Sequence, residues 1–247
     1  MSKMSRIVAL AATFATLALG GCGSDGDDSA GGASGEEDLT SLPQGSEPVT
    51  LKPSDFTTEI ENPYFPLTPG SKWVYREGAQ RVEITVTNDT KKIEGITTRV
   101  VRDVVTEDGK LVESTRDWYA QDSDGNVWYM GEATTEYENG KPKTTEGSWE
   151  AGVDGAEPGI IMPAEPRTGL SYRQEYYKGH AEDRAKVVTL DAQVKVPFGR
   201  FDDALKTEDT APLGKASVEH KYYARGTGLV LAVGSGGERE ELVSFDG

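Results

Sequence analysis

A regular alternation of apolar and polar residues is the feature that most constrains this fold. In "RVEITVT", at residues 81–87, every second residue is Val or Ile, which is typical of a strand with one buried face. Turn-forming dipeptides such as Asp108-Gly109 and Asn139-Gly140 recur between runs rich in Val, Thr, Tyr and Trp, and such dipeptides close hairpins. The sequence therefore predicts an all-β, mainly antiparallel domain over residues 51–247.

The two halves of this domain resemble each other, over about residues 66–131 and 163–234. Both begin with a Pro-x-x-Pro segment, and Tyr119-Ala120 recurs as Tyr223-Ala224 at an offset of 104 residues. One half alone would leave an apolar sheet face and open strand edges exposed, whereas two packed halves would cover both. We therefore expect a closed or half-open curved barrel with two similar halves related by an approximate two-fold axis. Chance similarity between β-rich segments is the alternative.

The start of the chain has the features of an exported protein. Met1–Arg6 is basic, Ile7–Leu19 is mostly apolar, and Leu19-Gly20-Gly21-Cys22 resembles the lipobox of bacterial lipoproteins. In that family the cysteine receives a diacylglyceryl group and the chain is cut before it. The resemblance implies a signal peptide at residues 1–21 and a lipid anchor at Cys22, which would hold the protein on the extracytoplasmic side of the cell membrane. The alternative is an ordinary secreted protein with an incidental cysteine.

Residues 22–50 separate this anchor from the domain. They are rich in Gly, Ser, Asp and Glu, contain no Lys or Arg, and have too few apolar residues to order themselves, which predicts a disordered acidic tether. The whole chain has a formal net charge of −16. That charge argues against nucleic-acid binding, since phosphates are bound through Lys and Arg, and against adsorption on anionic lipid.

The sequence contains few residues or motifs that are typical of enzymes. Gly-x-Ser-x-Gly, His-Glu-x-x-His and phosphate-loop patterns are absent, and no catalytic residue, cofactor or metal is predicted. The stretch "DSDGN" at residues 122–126 resembles the start of a calcium loop, but it lacks the later Gly and Glu and is interpreted as a hairpin turn. His180, Glu182 and Asp183 could ligate a metal, although their spacing matches no strong motif. A hydrolase that uses two carboxylates stays an alternative.

Aromatic and polar residues on two predicted strands suggest a ligand cavity. Tyr172, Gln174 and Tyr176 alternate on one strand, and His220 and Tyr222 alternate on another. A face that mixes aromatic and polar side chains suits the mouth of a barrel that holds a ligand. We therefore predict that these five residues line a binding site.

A proline-rich stretch at residues 151–169 is predicted to be the longest irregular loop. It carries three apolar residues in a row, of which Ile161 and Met162 complete the predicted ligand-binding set. Apolar side chains in a loop must be shielded from water by other parts of the protein. The loop is therefore expected either to plug one end of the barrel or to form a lid over a site.

The body of the chain also resembles a family. "VPFGRFDDALKTED" followed by "KYYARGTGLVLAV" resembles uncharacterised secreted bacterial lipoproteins, over roughly Asn62–Val233. That family implies no activity for any residue. A weaker, fold-level analogy exists to LolA-like envelope lipoproteins, whose curved sheet carries lipids, although this chain lacks the long helices that cover that sheet.

These patterns favour a membrane-anchored binding module. Its expected ligand is a small apolar molecule, a glycan or an envelope protein, which it would bind without covalent chemistry. A structural or assembly lipoprotein without a ligand is the first alternative, and a hydrolase is the second.

The anchor gives a direct prediction. Cells that express the protein and grow on a clickable fatty acid should label it, and Cys22→Ser should abolish the label because the thiol is the acceptor. The labelled band is measured by in-gel fluorescence. An unlabelled protein that is released freely into the medium would show that Cys22 is incidental.

Overall fold

A computed structural model of the protein describes residues 42–213 and 217–247. The predicted signal peptide, Cys22 and most of the predicted tether lie outside the described residues. Within the described ranges, no helix is long and apolar enough to cross a membrane.

The described chain consists of one short 3-10 helix and sixteen strands. The helix is Pro53–Asp55, and the strands are β1 (Phe56–Thr57), β2 (Lys72–Glu77), β3 (Gln80–Ile93), β4 (Ile96–Glu107), β5 (Lys110–Asp122), β6 (Val127–Glu138), β7 (Lys141–Thr144), β8 (Trp149–Glu150), β9 (Glu157–Met162), β10 (Ser171–Arg173), β11 (Glu175–Tyr176), β12 (Arg184–Val196), β13 (Gly199–Ala211), β14 (Ser217–Ala224), β15 (Gly228–Gly234) and β16 (Arg239–Asp246).

Thirteen of these strands form one curved antiparallel sheet that nearly closes into a barrel. Their order is β10-β12-β13-β14-β15-β16-β2-β3-β4-β5-β6-β9-β11. Of the short strands outside this series, β1 pairs with β5, and β7 and β8 pair with β6. The buried apolar side chains pack into a single core. The prediction of an all-β, mainly antiparallel, nearly closed barrel is confirmed. At one seam of the barrel, the neighbouring strands do not form a continuous pair.

Two similar series of strands make up the barrel. Strands β3 to β6 pair in succession, and so do β12 to β15. Strand β3 begins at Gln80 and β12 at Arg184, so their starts differ by the 104 residues of the sequence offset. The two series join where β16 pairs with β2, with Leu242 opposite Tyr75. This strand order agrees with two similar halves, and the two-fold axis stays a prediction.

One kinked stretch of chain closes the barrel on the other side. Ser171–Arg173 pairs with β12, and Glu175–Tyr176 pairs with β9, so the chain changes its partner at Gln174. This crossing passes directly over Gly159, where an added Cβ atom would lie 2.4 Å from the carbonyl oxygen of Gln174. The absence of a side chain at Gly159 is therefore what allows β9 and the crossing strand to approach.

Residues 43–49 lie across the seam. The backbone N–H of Arg173 donates to the carbonyl oxygen of Pro43 at 2.7 Å. The Arg173 guanidinium donates to the carbonyl oxygens of Glu47 and Pro158, at 2.8 Å in each case. Residues 43–49 belong to the stretch that the sequence predicts to be a disordered tether. They lie against the barrel instead, because a largely buried guanidinium needs several carbonyl partners and this segment supplies them.

Residues 151–169 are not the irregular loop that the prolines suggested. They contain β9, which pairs with β6 so that Ile160 lies opposite Trp128. Ile160 and Met162 are fully buried in the core. The apolar run is covered because it extends the sheet as a strand, and it neither plugs the barrel nor forms a lid.

A different stretch closes one end of the barrel, and we call Ile60–Leu67 the cap segment. The Asn62 side-chain amide donates to the carbonyl oxygens of Gly125 and Pro163, at 3.1 and 3.0 Å. Farther along, the carbonyl oxygen of Pro63 accepts from the Gly226 N–H at 2.7 Å. The cap segment thus reaches from the β5–β6 turn to the β14–β15 turn.

The crossing gives a stability prediction. Gly159→Ala should lower the free energy of unfolding by about 1–3 kcal/mol, because its Cβ atom would force the crossing strand away from β9. The measurement is the urea midpoint of unfolding. Gly199→Ala is the matched control, since a Cβ atom at Gly199 would meet nothing within 4 Å. Equal midpoints for the two variants would contradict this account of the closure.

Candidate functional site

A cavity of about 120 Å³ lies inside the barrel, beneath the cap segment. Phe65, Pro66 and Leu67 of the cap segment form part of its wall, and residues of both strand series form the rest. An engineered protein cavity of about 150 Å³ holds a benzene molecule. The barrel cavity is therefore large enough for part of a small organic molecule.

The wall nearest the cap segment is aromatic. This aromatic layer consists of Trp73, Tyr75, Tyr119, Tyr129 and Tyr223. The rings of Tyr119 and Tyr129 stack with centroids 4.9 Å apart. The Trp73 indole donates to the carbonyl oxygen of Thr227 at 2.6 Å, and the Tyr75 hydroxyl donates to that of Leu229 at 2.9 Å. The two hydrogen bonds orient the rings of Trp73 and Tyr75 before any ligand binds.

Charged side chains follow the aromatic ones deeper in the barrel. Asp117 lies two residues from Tyr119 on β5, and Lys221 lies two residues from Tyr223 on β14, and all four line the cavity. Alternate residues of a strand point to the same face, so the aromatic layer and the charged residues form two levels of one wall. The charged layer consists of Asp103, Asp117, Glu132, Glu175, Asp183 and Lys221.

Lys221 is the cation of the charged layer, and other acids already neutralise it. Its ammonium lies 3.0 Å from the Asp209 carboxylate and 3.5 Å from that of Glu219. Burial by itself would lower the pKa of Lys221, but the charges of Asp209 and Glu219 outweigh it and raise that pKa well above its usual value. Neither Asp209 nor Glu219 lines the cavity. The charge of Lys221 is thus directed toward two acids outside the cavity wall.

Asp117 and Glu132 share one phenol. The Tyr129 hydroxyl lies 2.7 Å from Asp117 Oδ1 and 3.1 Å from Glu132 Oε2. A hydroxyl carries one proton, so both contacts are hydrogen bonds only if one of the two carboxyls keeps its own proton. Burial raises the pKa of Asp117 to about 7. Burial, followed by the charge of Asp117, raises the pKa of Glu132 well above its usual value.

The remaining carboxyls of the charged layer are similarly perturbed. Burial, followed by the charge of Glu132, raises the pKa of Glu175 to about 8. Burial is also the main cause of the strongly raised pKa of Asp103 and of Asp183. Asp103 Oδ1 and Asp183 Oδ1 are buried and make no hydrogen bond within the described residues. The cavity therefore brings together five buried carboxyls, two of which present an unbonded oxygen.

The predicted ligand-binding residues are only partly brought together. Ile161 and Gln174 line the cavity, and the Gln174 side-chain amide donates to Asp209 Oδ2 at 3.2 Å. Tyr172 and Met162 are buried in the core, and Tyr176 is half-buried in β11. None of these last three residues lies in the cavity wall.

His220 and Tyr222 lie on the opposite face of β14 from the cavity. The His220 ring is 3.6 Å from the Glu208 carboxylate at a side-chain exposure of 35%, and the Lys206 ammonium lies over the Tyr222 ring at 5.5 Å. The intervening residues, Lys221 and Tyr223, face the cavity instead. The face of "VEHKYY" that carries Glu219, Lys221 and Tyr223 is the more polar one. Alternation alone therefore favours the wrong face as the inner one.

The sequence does contain a signal for the acids of the charged layer. Asp103 occupies the same strand face as Val101 and Val105, and all three residues are buried on β4. A carboxylate at an apolar position of a strand is costly unless it has a partner or a function. This pattern marks a candidate site that the aromatic and histidine residues did not reveal.

The stretch "DSDGN" is a hairpin turn, as expected. Both backbone N–H groups of Asp124 and Asn126 donate to Asp122 Oδ1, at 3.0 and 2.8 Å. The Trp128 indole donates to Asp122 Oδ2 at 2.8 Å. The Asp122 carboxylate thus accepts hydrogen bonds within its own turn.

Comparison with known proteins gives little further information. No family model matches the chain, and none of the curated proteins matches it. A solved structure described as that of "a putative lipoprotein" from Parabacteroides distasonis is similar at 13% identity and a TM-score of 0.39, covering 74% of this chain and 98% of the other. This similarity is too low to support an argument about function.

The buried carboxyls predict how stability depends on pH. Because their pKa values are raised on folding, the folded state binds more protons than the unfolded state, and stability falls as the pH rises from about 4 to about 8. We expect the midpoint of thermal unfolding to be at least about 5 °C lower at pH 8 than at pH 5. Differential scanning calorimetry measures this difference.

Asp117→Asn tests the contribution of one carboxyl. The variant should reduce the difference between the unfolding midpoints at pH 5 and pH 8, and it should raise the midpoint at pH 8. The reason is that the amide cannot ionise but can still accept a hydrogen bond from Tyr129. Asp202→Asn, on the exposed surface, changes the net charge equally and should leave the difference unchanged. A wild-type midpoint that is constant or rises with pH would contradict the assignment.

Proposed function

We propose that this protein is a lipid-anchored extracytoplasmic lipoprotein whose barrel binds a small molecule with an apolar body. The observation that carries the proposal is the cavity of about 120 Å³ lined by the aromatic layer. The pattern that ends at Cys22 supports the anchor and the location. Binding would be non-covalent, as expected from the sequence.

The position of the cavity favours a small molecule over a glycan or a protein. The cavity lies inside the barrel, beneath the cap segment, and three cap residues form part of its wall. A protein surface cannot enter such a space, and an extended glycan needs an open cleft. A molecule of a few tens of atoms that inserts one end beneath the cap segment fits this geometry.

The aromatic layer explains how binding would be favourable. Trp73 and Tyr75 are already held by hydrogen bonds to backbone carbonyls, and the stacked rings of Tyr119 and Tyr129 support each other. Side chains that are ordered before binding lose little conformational entropy when the ligand arrives. Burial of an apolar ligand contributes roughly 25 cal/mol for each Å² removed from water.

The geometry around Tyr129 favours binding over hydrolysis. A two-carboxylate hydrolase needs its reacting bond, or a water molecule, between the two acids. Here the Tyr129 phenol occupies that position between Asp117 and Glu132, at 2.7 and 3.1 Å. The arrangement of these two acids suits a shared proton.

Native mass spectrometry of the protein purified from its source cell tests the proposal. We expect a co-purifying small molecule in the wild-type protein and its loss in Leu229→Trp, because the larger ring would fill the cavity that Leu229 lines. Leu190→Trp is the matched control, since Leu190 is also half-buried but lies outside the cavity wall. A wild-type protein that is consistently free of any small molecule would favour a structural lipoprotein without a ligand.

A further inference from the structure

Five carboxyls and one cation, Lys221, line the barrel cavity. Asp103, Asp117, Glu132, Glu175 and Asp183 form no salt bridge with any Lys or Arg among residues 42–213 and 217–247. Lys221 is the cation in their layer, and its ammonium contacts Asp209 and Glu219. The cavity thus has a strong excess of acidic groups over basic ones.

Two of these carboxyls have one oxygen without a hydrogen-bond partner, and the Asp183 carboxyl in addition hydrogen-bonds to Glu175. Asp103 is 5% exposed and Asp183 is 9% exposed, both line the cavity, and Oδ1 of each makes no hydrogen bond within the described chain. Buried polar atoms in folded proteins almost always have a hydrogen-bond partner, and each exception requires an explanation. A donor supplied by a ligand would satisfy such an atom.

We propose that the ligand of the barrel cavity is a small organic cation, in which a protonated amine or amidine is attached to an apolar body. The cationic group would donate to Asp103, with Asp117 beside it, while the apolar body lies in the aromatic layer. This inference rests on the proposed function, since it names the ligand class for the same cavity.

The order of the two layers matches an amphipathic cation. Tyr119 lies two residues from Asp117 on the same face of β5. A bound molecule would therefore contact aromatic rings beneath the cap segment and carboxyls immediately below them. Aromatic faces attract organic cations as well as apolar groups. A simple apolar ligand would leave the acids unpartnered, and an anionic ligand would be repelled by them.

The raised pKa values explain how the acids are tolerated without the ligand. With pKa values of about 7 for Asp117 and about 8 for Glu175, much of the charge of these two groups is neutralised by bound protons near neutral pH. Burying several ionised carboxylates together would otherwise be very unfavourable. An incoming ammonium would replace these protons as the partner of the carboxyls.

The charge of the whole chain also favours a cationic ligand. The formal net charge is −16, and a negative protein raises the local concentration of cations and speeds their association. This effect is not specific to the cavity. It adds to the local geometry, which determines where the cation would be held.

A set of three matched probes tests the charge of the ligand. They are 3-phenylpropylamine, 3-phenylpropanol and 3-phenylpropanoate, which share the same ring and chain and differ in charge. Binding is measured by isothermal titration calorimetry on residues 22–247 with Cys22→Ser, a chain that retains every described residue and no thiol for lipidation. At pH 8 we expect the amine to bind at least tenfold more tightly than the alcohol, and the carboxylate not to bind.

Two buried acids provide the variant and its control. Asp103→Asn should weaken binding of the amine at least tenfold and leave binding of the alcohol unchanged, because it removes charge from the cavity wall. Glu136→Gln is the matched control: Glu136 is also buried, but it does not line the cavity, so amine binding should stay the same. Thermal unfolding of each variant confirms that it is folded.

The outcomes separate this inference from the proposed function. If the alcohol binds as tightly as the amine, or if a neutral molecule co-purifies with the protein, the cavity binds ligands but the inference about charge is overturned. If Ca²⁺ binds and the amine does not, the carboxyls form a metal site and the inference is also overturned. If no probe binds and no molecule co-purifies, both the proposed function and the inference about charge are overturned.

Discussion

The structure depends on how the sheet closes on itself. One stretch of six residues pairs with β12 at its start and with β9 at its end, and it can do so because Gly159 presents no side chain at the crossing. Arg173 strengthens the closure by binding carbonyl oxygens of residues 43–49 and of Pro158. An open sheet would expose its inner face to water. The closure is therefore what creates an interior with a low dielectric constant, and every property of the cavity follows from that interior.

The interior is unusual in the kind of surface that it buries. A stable barrel core is normally filled by apolar side chains, whereas this one places buried carboxyls beneath an aromatic layer. Burial raises the pKa values of these acids, which lowers stability as the pH rises. A protein that accepts this loss of stability generally does so at a functional site. This cost supports the proposal that the cavity binds a ligand, and the proposed cationic ligand would restore the missing electrostatic partner.

Some parts of the fold could be predicted from the sequence and others could not. The alternation at residues 81–87 places Val82 and Val86 in the core, as the buried positions of β3 show. The proline-rich stretch predicts a loop, but Pro158, Ile160 and Met162 lie in a strand, since a proline is tolerated near the start of a strand where its missing N–H is not needed. For the site, His220 was expected in the cavity but lies on the outer face. The more polar face of its strand points into the cavity, so alternation alone favours the wrong orientation.

By itself, the sequence determined the class of fold, the antiparallel hairpins, the offset between the two strand series and the expectation of a lipid anchor at Cys22. These features are local, because alternation, turn dipeptides and the lipobox pattern each depend on neighbouring residues. Only the tertiary structure decided that Asp103, Asp117 and Asp183 converge in one cavity, and that the cap segment covers it. Residues from distant strands meet only when the sheet curls and closes, and no short-range pattern specifies which of them then share an interior.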